Sequence, residues 1–298
     1  MYNAPPLAVV HNNTYNRATY TGQNSQYSAP IGVFDSGVGG LSVAIEIAKY
    51  LPNEQILYFA DTANVPYGAK SDQEIRDLTA RAIEWLYNQG CKLAVVACNS
   101  ASAFSLDYLR AFYGDKLPII GLVPALKPAV LSTKSKVVAV LATPATFRGK
   151  LIQDVKENFA KPAQVDVLSL TCLKLVPYVE QGLQMSEECL QTLEQILSPA
   201  VEQGADSLVL GCTHYPFLKP AIEQVFGDKL NLIDSGLAVA RHTAQMLIKL
   251  NLNNINEFDH LHQKRLTCYV SGNNVEYLTP IVQRLLPSEI TWEMKNVF

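Results

Sequence analysis

The chain has 298 residues, 48% of them hydrophobic, and a formal net charge of −3 from 24 basic and 27 acidic side chains. Length and apolar content are typical of a globular protein with one large or two ordinary domains and a substantial core. The small net charge argues against binding to nucleic acid or to a membrane surface, and no apolar run approaches the roughly 20 residues of a spanning helix. The first residues lack the pattern of a secretory signal, so we expect a cytoplasmic protein.

Residues 1–29 are rich in Asn, Tyr, Ser, Thr and Gln without periodicity, and we expect a mobile or loosely docked tail there. From Ile31 onwards, short apolar runs alternate with amphipathic segments, which predicts an α/β fold. The runs are apolar on both faces, which favours parallel strands covered by helices. They span residues 31–34, 56–59, 93–97, 119–121, 137–141, 165–168, 208–210, 231–233 and 267–270.

The clearest helix is predicted over residues 72–89, where apolar side chains recur at helical spacing. Ser71 and Glu74 form a capping box at its start. Gly90 follows its last residue, as is typical of a helix end.

A weak internal repeat relates two parts of the chain, because Cys98 follows Asp35 by 63 residues and Cys212 follows Thr143 by 69. In each part a polar loop and then a cysteine loop follow an apolar strand. Ligands of open α/β sheets bind at the carboxyl ends of strands, so two facing domains would bring these loops into one cleft. The predicted division is a tail over 1–29, domain A over 30–123 plus 234–298, and domain B over 124–233.

The six cysteines show no CxxC pair and no metal-ligand spacing, so the sequence predicts no metal site. A disulfide framework is uncommon in a cytosolic chain of this size, and most buried cysteines are small core residues. Only their context can therefore assign a function to particular ones. The six are Cys91, Cys98, Cys172, Cys189, Cys212 and Cys268.

Two cysteines stand where a buried strand is predicted to end. The thiol of Cys98 precedes a predicted helix that Ser100 or Ser102 can cap, and a helix N-terminus lowers a thiol pKa from about 8.5 toward neutrality. We therefore expect a lowered pKa for Cys98. Cys212 is followed two residues later by His214, which is close enough to exchange a proton with it. Taken singly, each cysteine is equally explained as a core residue.

The segment Asp35-Ser36-Gly37-Val38-Gly39-Gly40 resembles a dinucleotide-binding loop, but Ser42 stands where the fingerprint requires its third glycine. Backbone N–H groups at a helix start suit a small carboxylate, which makes Asp35 a candidate catalytic or orienting group. An ordinary glycine-rich turn is the alternative. Pro66-Tyr67-Gly68 and Thr143 offer further loops for carboxylate or ammonium groups, whereas Glu180, taken alone, is typical of a surface residue.

Together these segments resemble the aspartate/glutamate racemase family, and within it the glutamate racemases. The resemblance covers the chain from about Ile31 and rests on four motifs in register: the two cysteine segments, the glycine-rich segment and Pro66-Tyr67-Gly68. Ser100 departs from the threonine that many members carry, and both residues supply a hydroxyl. The resemblance implies two similar, pseudo-symmetric α/β/α domains with largely parallel sheets and an active site in the cleft between them.

The resemblance also implies a reaction, the interconversion of L- and D-glutamate without a cofactor, supplying D-glutamate for peptidoglycan. It implies that Cys98, assisted by Asp35, removes the α-proton of D-glutamate. Cys212, assisted by His214 and Glu180, would remove the α-proton of L-glutamate. It implies a homodimer whose small-molecule partner is glutamate. The substrate-contacting residues that it implies are Asp35, Ser36, Pro66, Tyr67, Gly68, Asn99, Ser100, Thr143 and Thr213.

Two thiols suit a racemisation because the α-carbon needs a base on one face and an acid on the other, and thiols can exchange these roles. Aspartate racemases tend to carry an acidic residue at the position of His214, which favours glutamate as the substrate. A racemase for aspartate or a related amino acid is nevertheless the nearest alternative. More distant hypotheses are a non-enzymatic thiol protein that binds metal or senses redox state, a nucleotide-binding oxidoreductase and a pyridoxal-phosphate racemase.

Overall fold

The computed structural model describes residues 25–256, 258 and 263–297. Most of the predicted tail, residues 1–24, lies outside the described residues. The remainder of the tail contains one helical turn, α1 (Ser25–Ser28). From Ile31 the structure alternates strands and helices, which confirms the predicted α/β class.

The strands form two separate parallel sheets. In chain order they are β1 (Ile31–Asp35), β2 (Ile56–Ala60), β3 (Leu93–Val96), β4 (Ile119–Gly121), β5 (Val137–Ala142), β6 (Asp166–Leu170), β7 (Ser207–Gly211), β8 (Asn231–Ile233), β9 (Leu266–Val270) and β10 (Trp292–Asn296). The first sheet has the order β10-β9-β2-β1-β3-β4 and the second the order β6-β5-β7-β8. Each strand pairing that the structure describes is parallel, as the apolar runs predict.

Helices connect the strands and cover the sheets. They are α2 (Leu41–Tyr50), α3 (Asp72–Asn88), α4 (Asn99–Tyr113), α5 (Leu126–Ser132), α6 (Pro144–Arg148), α7 (Lys150–Val155), α8 (Leu175–Glu180), α9 (Glu187–Glu202), α10 (Lys219–Phe226), α11 (Gly236–Lys249) and α12 (Val275–Leu285). Helix α3 confirms the predicted helix, and Ser71 and Glu74 make both hydrogen bonds of the capping box. Within the described ranges, no helix is long and apolar enough to cross a bilayer.

The central strands are buried on both faces, which explains their uniformly apolar sequences. In β1, Val33 packs into one apolar cluster and the adjacent Phe34 into another, because successive side chains point to opposite faces of a sheet. Val95 and Val96 in β3 divide between the same two clusters. Because core side chains occupy both faces of these strands, we expect ligand-binding groups in the loops beyond the strand ends.

Candidate active site

A narrow cavity lies among loops that follow strands of both sheets. Its volume is about 20 Å³, which is room for about one water molecule. Eleven of the thirteen predicted site residues line it, and the other two, Asp35 and Glu180, are hydrogen-bonded to lining residues. The lining residues are Ser36, Pro66, Tyr67, Gly68, Cys98, Asn99, Ser100, Thr143, Val176, Cys212, Thr213 and His214.

Cys98 reaches the cavity from the loop between β3 and α4. Cys98 is the N-cap residue of α4, and its sulfur accepts a hydrogen bond from the Ala101 N–H at 3.5 Å. The Ser36 hydroxyl lies 3.8 Å from the same sulfur. The predicted cap by Ser100 or Ser102 is therefore wrong. The hydroxyl of Ser102 points back to the strand instead, where it donates to the carbonyl of Val96 at 2.9 Å.

The electrostatic environment of Cys98 favours its neutral thiol. Burial raises the pKa of this thiol, and the negative charge of Asp35 raises it further. The prediction of a lowered pKa is wrong because desolvation of a buried sulfur outweighs one backbone N–H at a helix start. The surroundings of Cys98 thus favour a proton-carrying sulfur over a thiolate.

Cys212 belongs to a second arrangement, a chain of three polar side chains. It follows β7, and its sulfur lies 3.6 Å from Nδ1 of His214. The other ring nitrogen of His214, Nε2, lies 2.5 Å from Oε1 of Glu180 at the end of α8. The same carboxylate oxygen accepts a hydrogen bond from the Val38 N–H at 2.8 Å, so it links α8 to the glycine-rich loop after β1.

His214 is buried among groups that favour its charged form. Burial alone lowers an imidazole pKa, but the hydrogen bonds with Cys212 and Glu180 outweigh it and raise the pKa of His214 well above its usual value. A protonated imidazole donates from both nitrogens. His214 can thus donate to Glu180 with one N–H and exchange the proton of the other with the sulfur of Cys212.

Asp35 is the buried carboxylate at the end of β1. One oxygen accepts the Gly37 N–H at 2.9 Å, and the other accepts the Thr213 hydroxyl at 2.9 Å. Burial raises the pKa of Asp35 to about 6, although the positive charge of His214 and these hydrogen bonds oppose the rise. Both oxygens are thus engaged by other groups, and Asp35 acts on Cys98 through its charge.

The glycines of the segment after β1 serve close packing. A side chain at Gly37 would overlap the carboxylate of Glu180, and one at Gly39 would overlap the imidazole of His214. The loop that resembles a phosphate-binding turn in the sequence therefore lies directly against the Glu180–His214 pair.

Polar groups from both sheets complete the cavity wall. The hydroxyls of Ser100, in α4, and Thr143, after β5, lie 2.9 Å apart. The buried side-chain nitrogen of Asn99 has no hydrogen-bond partner among the described residues, which leaves two N–H groups available to a ligand. Val176 of α8 also lines the cavity. The sequence gives no signal for it, because an apolar residue on an amphipathic helix is typical of core.

The arrangement of acidic, histidine and cysteine side chains differs from that of a metal centre. Across the parts of the chain that the structure describes, no group of three or more such side chains is placed to hold a metal ion. Cys98 and Cys212 instead lie on loops from different sheets, each with its own set of hydrogen-bonding neighbours.

Known proteins resemble this chain in both sequence and structure. The family model for Asp/Glu/Hydantoin racemase matches residues 31–243. Glutamate racemase of Deinococcus radiodurans is 59% identical over 218 residues, which cover 73% of this chain and 74% of that protein. Escherichia coli glutamate racemase, solved with L-glutamate and the activator UDP-MurNAc-Ala, aligns with a TM-score of 0.76 and 32% identity over 90% of this chain and 97% of that one. Francisella tularensis glutamate racemase, solved with D-glutamate, aligns with a TM-score of 0.75 and 28% identity over 91% and 98% of the two chains.

Proposed function

The chain belongs to the Asp/Glu/hydantoin racemase family, and on that premise we propose that it interconverts L- and D-glutamate by proton transfer at two cysteines. The resemblance inferred from the sequence motifs is confirmed, and the chain is an amino-acid racemase. One observation carries the proposed mechanism: the buried thiols of Cys98 and Cys212 line the same small cavity from loops of two different sheets.

The proposed reaction removes a proton from one face of the α-carbon and adds a proton to the other. With D-glutamate bound, the Cys98 thiolate takes the α-proton, and the C–H electron pair passes to the α-carbon and its carboxylate. The Cys212 thiol then gives its proton to the opposite face, which yields L-glutamate and the Cys212 thiolate. The reverse direction exchanges the roles, so no oxidant, reductant or cofactor enters the balance.

Each thiol has a different helper in this proposal. The charge of Asp35 governs Cys98: protonation of Asp35, whose pKa is about 6, removes a negative charge that opposes formation of the Cys98 thiolate. His214, held by Glu180, exchanges its Nδ1 proton with Cys212. Proton transfer accounts for about 10²–10⁴-fold of the rate, so the remainder must come from substrate positioning and from stabilising charge on the carboxylate.

The polar wall of the cavity supplies that positioning. We propose that it holds the two carboxylates and the ammonium group of glutamate through hydroxyls, the unpartnered amide of Asn99 and backbone N–H groups. The proposed contact residues are Ser36, Pro66, Tyr67, Gly68, Asn99, Ser100, Thr143 and Thr213, which line the cavity, and Asp35, which is hydrogen-bonded to Thr213 behind it.

Glutamate is larger than a cavity of about 20 Å³, so we propose that two domains separate to admit it. Domain A comprises residues 30–123 plus 234–298, and domain B residues 124–233. The sheets support this division, because β1–β4, β9 and β10 fall in domain A and β5–β8 in domain B. Opening would break the bond from Thr213 to Asp35 and the contact between Ser100 and Thr143.

The cellular context follows from the same resemblance. We propose a cytoplasmic homodimer that needs no cofactor or metal and that supplies D-glutamate for peptidoglycan synthesis.

Deuterium incorporation tests the proposal. Purified enzyme is incubated in D₂O with L- or D-glutamate, or with either enantiomer of aspartate, and Cα–H loss and chirality are followed by NMR and polarimetry. Two bases predict that early deuterium appears in the product enantiomer and not in the remaining substrate. Retention of the original proton in the product would instead indicate a single base, and turnover of aspartate without glutamate would show that the substrate is wrong.

Cysteine variants test the assignment of the two bases. Cys98→Ser and Cys212→Ser are each expected to lower kcat/KM by about 10²–10⁴-fold or more. Cys91→Ser is the matched control, because Cys91 is buried at the amino end of the same strand β3 that Cys98 follows. Near wild-type turnover by either active-site variant contradicts the scheme.

A further inference from the structure

The loop that carries Pro66, Tyr67 and Gly68 is held by a buried carboxylate behind the cavity wall. Asp61 directly follows β2 and is 5% exposed. Its Oδ2 accepts the Tyr67 hydroxyl at 2.6 Å, and the side-chain nitrogen of Asn64 donates to both carboxylate oxygens at 3.0 and 3.1 Å. The loop is thus closed onto the residue from which it starts.

A second anchor of Asp61 comes from the C-terminal part of the chain. The hydroxyl of Ser271, directly after β9, donates to Oδ1 of Asp61 at 2.6 Å. The backbone continues the link, since the Ser271 N–H donates to the Ala60 carbonyl at 3.0 Å and the Gly272 N–H to Oγ1 of Thr62 at 3.2 Å. The family match ends at residue 243, so this anchor lies beyond the matched region.

The carboxylate oxygens of Asp61 are occupied as hydrogen-bond acceptors. Its carboxylate accepts hydrogen bonds from three side chains, those of Tyr67, Asn64 and Ser271. Burial raises the pKa of Tyr67, and the charge of Asp61 raises it further, so the phenol keeps the proton that it donates. The pair therefore forms a fixed support for the loop, made of hydrogen bonds that Asp61 accepts.

The loop meets the other side of the cavity with little clearance. Tyr67 is 1% exposed and lines the cavity beside Gly68. A Cβ on Gly68 would lie 2.7 Å from Cβ of Thr143, and the hydroxyl of Thr143 contacts that of Ser100 at 2.9 Å. A loop displaced by about an ångström would therefore change the cavity wall, and displacements of that size weaken substrate positioning.

We propose that Asp61 is a positioning residue: by holding the Tyr67 hydroxyl, it fixes the Pro66–Gly68 loop at the distance from Thr143 that substrate binding requires. Ser271 makes the C-terminal β9–α12 segment part of the same support. The inference rests on the proposed function for the identity of the substrate, glutamate.

A double-mutant cycle tests the proposal with Asp61→Asn, Tyr67→Phe and the double variant. Each single variant is expected to raise KM for both enantiomers by about 10-fold while kcat falls less than about 3-fold, because substrate binding weakens more than chemistry. The double variant is expected to have a KM no higher than that of the worse single variant, since both substitutions weaken the same hydrogen bond: Asp61→Asn leaves one acceptor oxygen where the hydroxyls of Tyr67 and Ser271 use two.

Asp206→Asn is the matched control. Its carboxylate also accepts several hydrogen bonds, from Thr133, Lys134, Ser135 and Ser207, but it lies at the amino end of β7, away from the cavity. This control is expected to lose stability and keep its KM. If Asp61→Asn likewise loses only stability, or if the effects of the two single variants on KM multiply, the positioning role is overturned.

Ser271→Ala keeps the test decisive if Asp61→Asn does not fold. It removes one donor to Asp61 and is expected to raise KM about 3-fold when Tyr67 is present. The same substitution in the Tyr67→Phe background is expected to leave KM unchanged. An equal rise in both backgrounds overturns the proposal. Wild-type turnover of glutamate is measured first, so a failure of the proposed function is seen independently of these variants.

Discussion

The Thr213 hydroxyl donates to Oδ2 of Asp35 at 2.9 Å, and this bond connects the surroundings of the two cysteines. Thr213 directly follows Cys212, whereas the charge of Asp35 raises the pKa of the Cys98 thiol. The ionisation of Asp35 therefore affects Cys98 through charge and the Cys212 loop through a hydrogen bond. A change of protonation on one side of the cavity reaches the other through a single carboxylate.

Asp35 is expected to make the free energy of unfolding fall as pH rises. A carboxylate whose pKa is lowered by folding has the opposite effect. Its folded pKa of about 6 lies above the unfolded value of about 3.9, so between these values the folded protein binds more protons. Stability from this group is present below about pH 4 and is lost as pH rises through 6, by about 3 kcal/mol in total.

Urea unfolding of wild type and Asp35→Asn at pH 4.5 and pH 7.5 measures this term. The side chain at position 35 of the variant is uncharged at both pH values. The variant is therefore expected to gain stability relative to wild type at the higher pH. A difference in unfolding free energy that is the same at both pH values would show that Asp35 is ionised throughout.

Glu180→Gln is expected to lower the pKa of His214, because a neutral amide replaces the carboxylate that lies 2.5 Å from Nε2. The loss of charge is expected to reduce kcat/KM by about 10- to 10³-fold and to move the alkaline limb of the pH profile to lower pH. L- and D-glutamate have equal free energy in water, so kcat/KM must fall by the same factor in both directions.

Isotope effects reveal which face the substitution affects. If His214 and Glu180 serve Cys212, α-deuterated L-glutamate is expected to show a larger isotope effect in the Glu180→Gln enzyme. α-Deuterated D-glutamate is expected to show a smaller one, because slower transfer at Cys212 makes the Cys98 step less rate-limiting. NMR of the imidazole follows the His214 pKa directly. Glu187→Gln, at an exposed glutamate in α9, is the control, and an unchanged His214 pKa in Glu180→Gln contradicts the prediction.

Gly39→Ala is expected to inactivate the enzyme without unfolding it. The added methyl would overlap the His214 imidazole, which must then move away from Cys212, and a fall in kcat/KM of about 10²-fold or more follows from the lost alignment. Gly227→Ala is the matched control, because Gly227 has a φ of +62° and nothing within 4 Å of the added Cβ. This control should lose about 1–3 kcal/mol of stability, because its backbone conformation is strained for alanine, and keep its activity. A Gly39→Ala enzyme with wild-type kcat/KM contradicts the described contact.

Local patterns predict much of this fold, while contacts distant in sequence do not follow from them. All nine predicted strands are present, because buried parallel strands are continuously apolar. The tenth strand, β10 (Trp292–Asn296), is not predicted, since an edge strand that includes Glu293, Lys295 and Asn296 lacks that signal. The helix predicted over 72–89 ends one residue beyond the observed α3.

The site shows the same division. Cys98 and Cys212 are identified by strand ends that the sequence reveals, but the partnership of Glu180 with His214 joins residues 34 positions apart and comes from the fold. Asp61 is recognisable in the sequence only as the end of a strand, because nothing in its neighbourhood indicates that Ser271 returns to it 210 residues later. The predicted pKa of Cys98 is wrong in direction because burial cannot be read from a helix start.

Lys92→Met is expected to destabilise the protein strongly while leaving turnover by the folded enzyme unchanged. Lys92 and Glu54 form an ion pair at 2.5 Å with side chains only 1% and 3% exposed, and it lies at the amino end of β3, away from the cavity. Removing the cation leaves a buried carboxylate without its partner, which costs about 3–5 kcal/mol. Lys161→Met breaks an exposed pair with Glu157 and should cost at most about 1 kcal/mol.

Urea unfolding compares the Lys92→Met and Lys161→Met variants, and adding Glu54→Gln to Lys92→Met should recover part of the lost stability. Equal, small effects of both lysine substitutions would show that the buried pair is compensated by other groups.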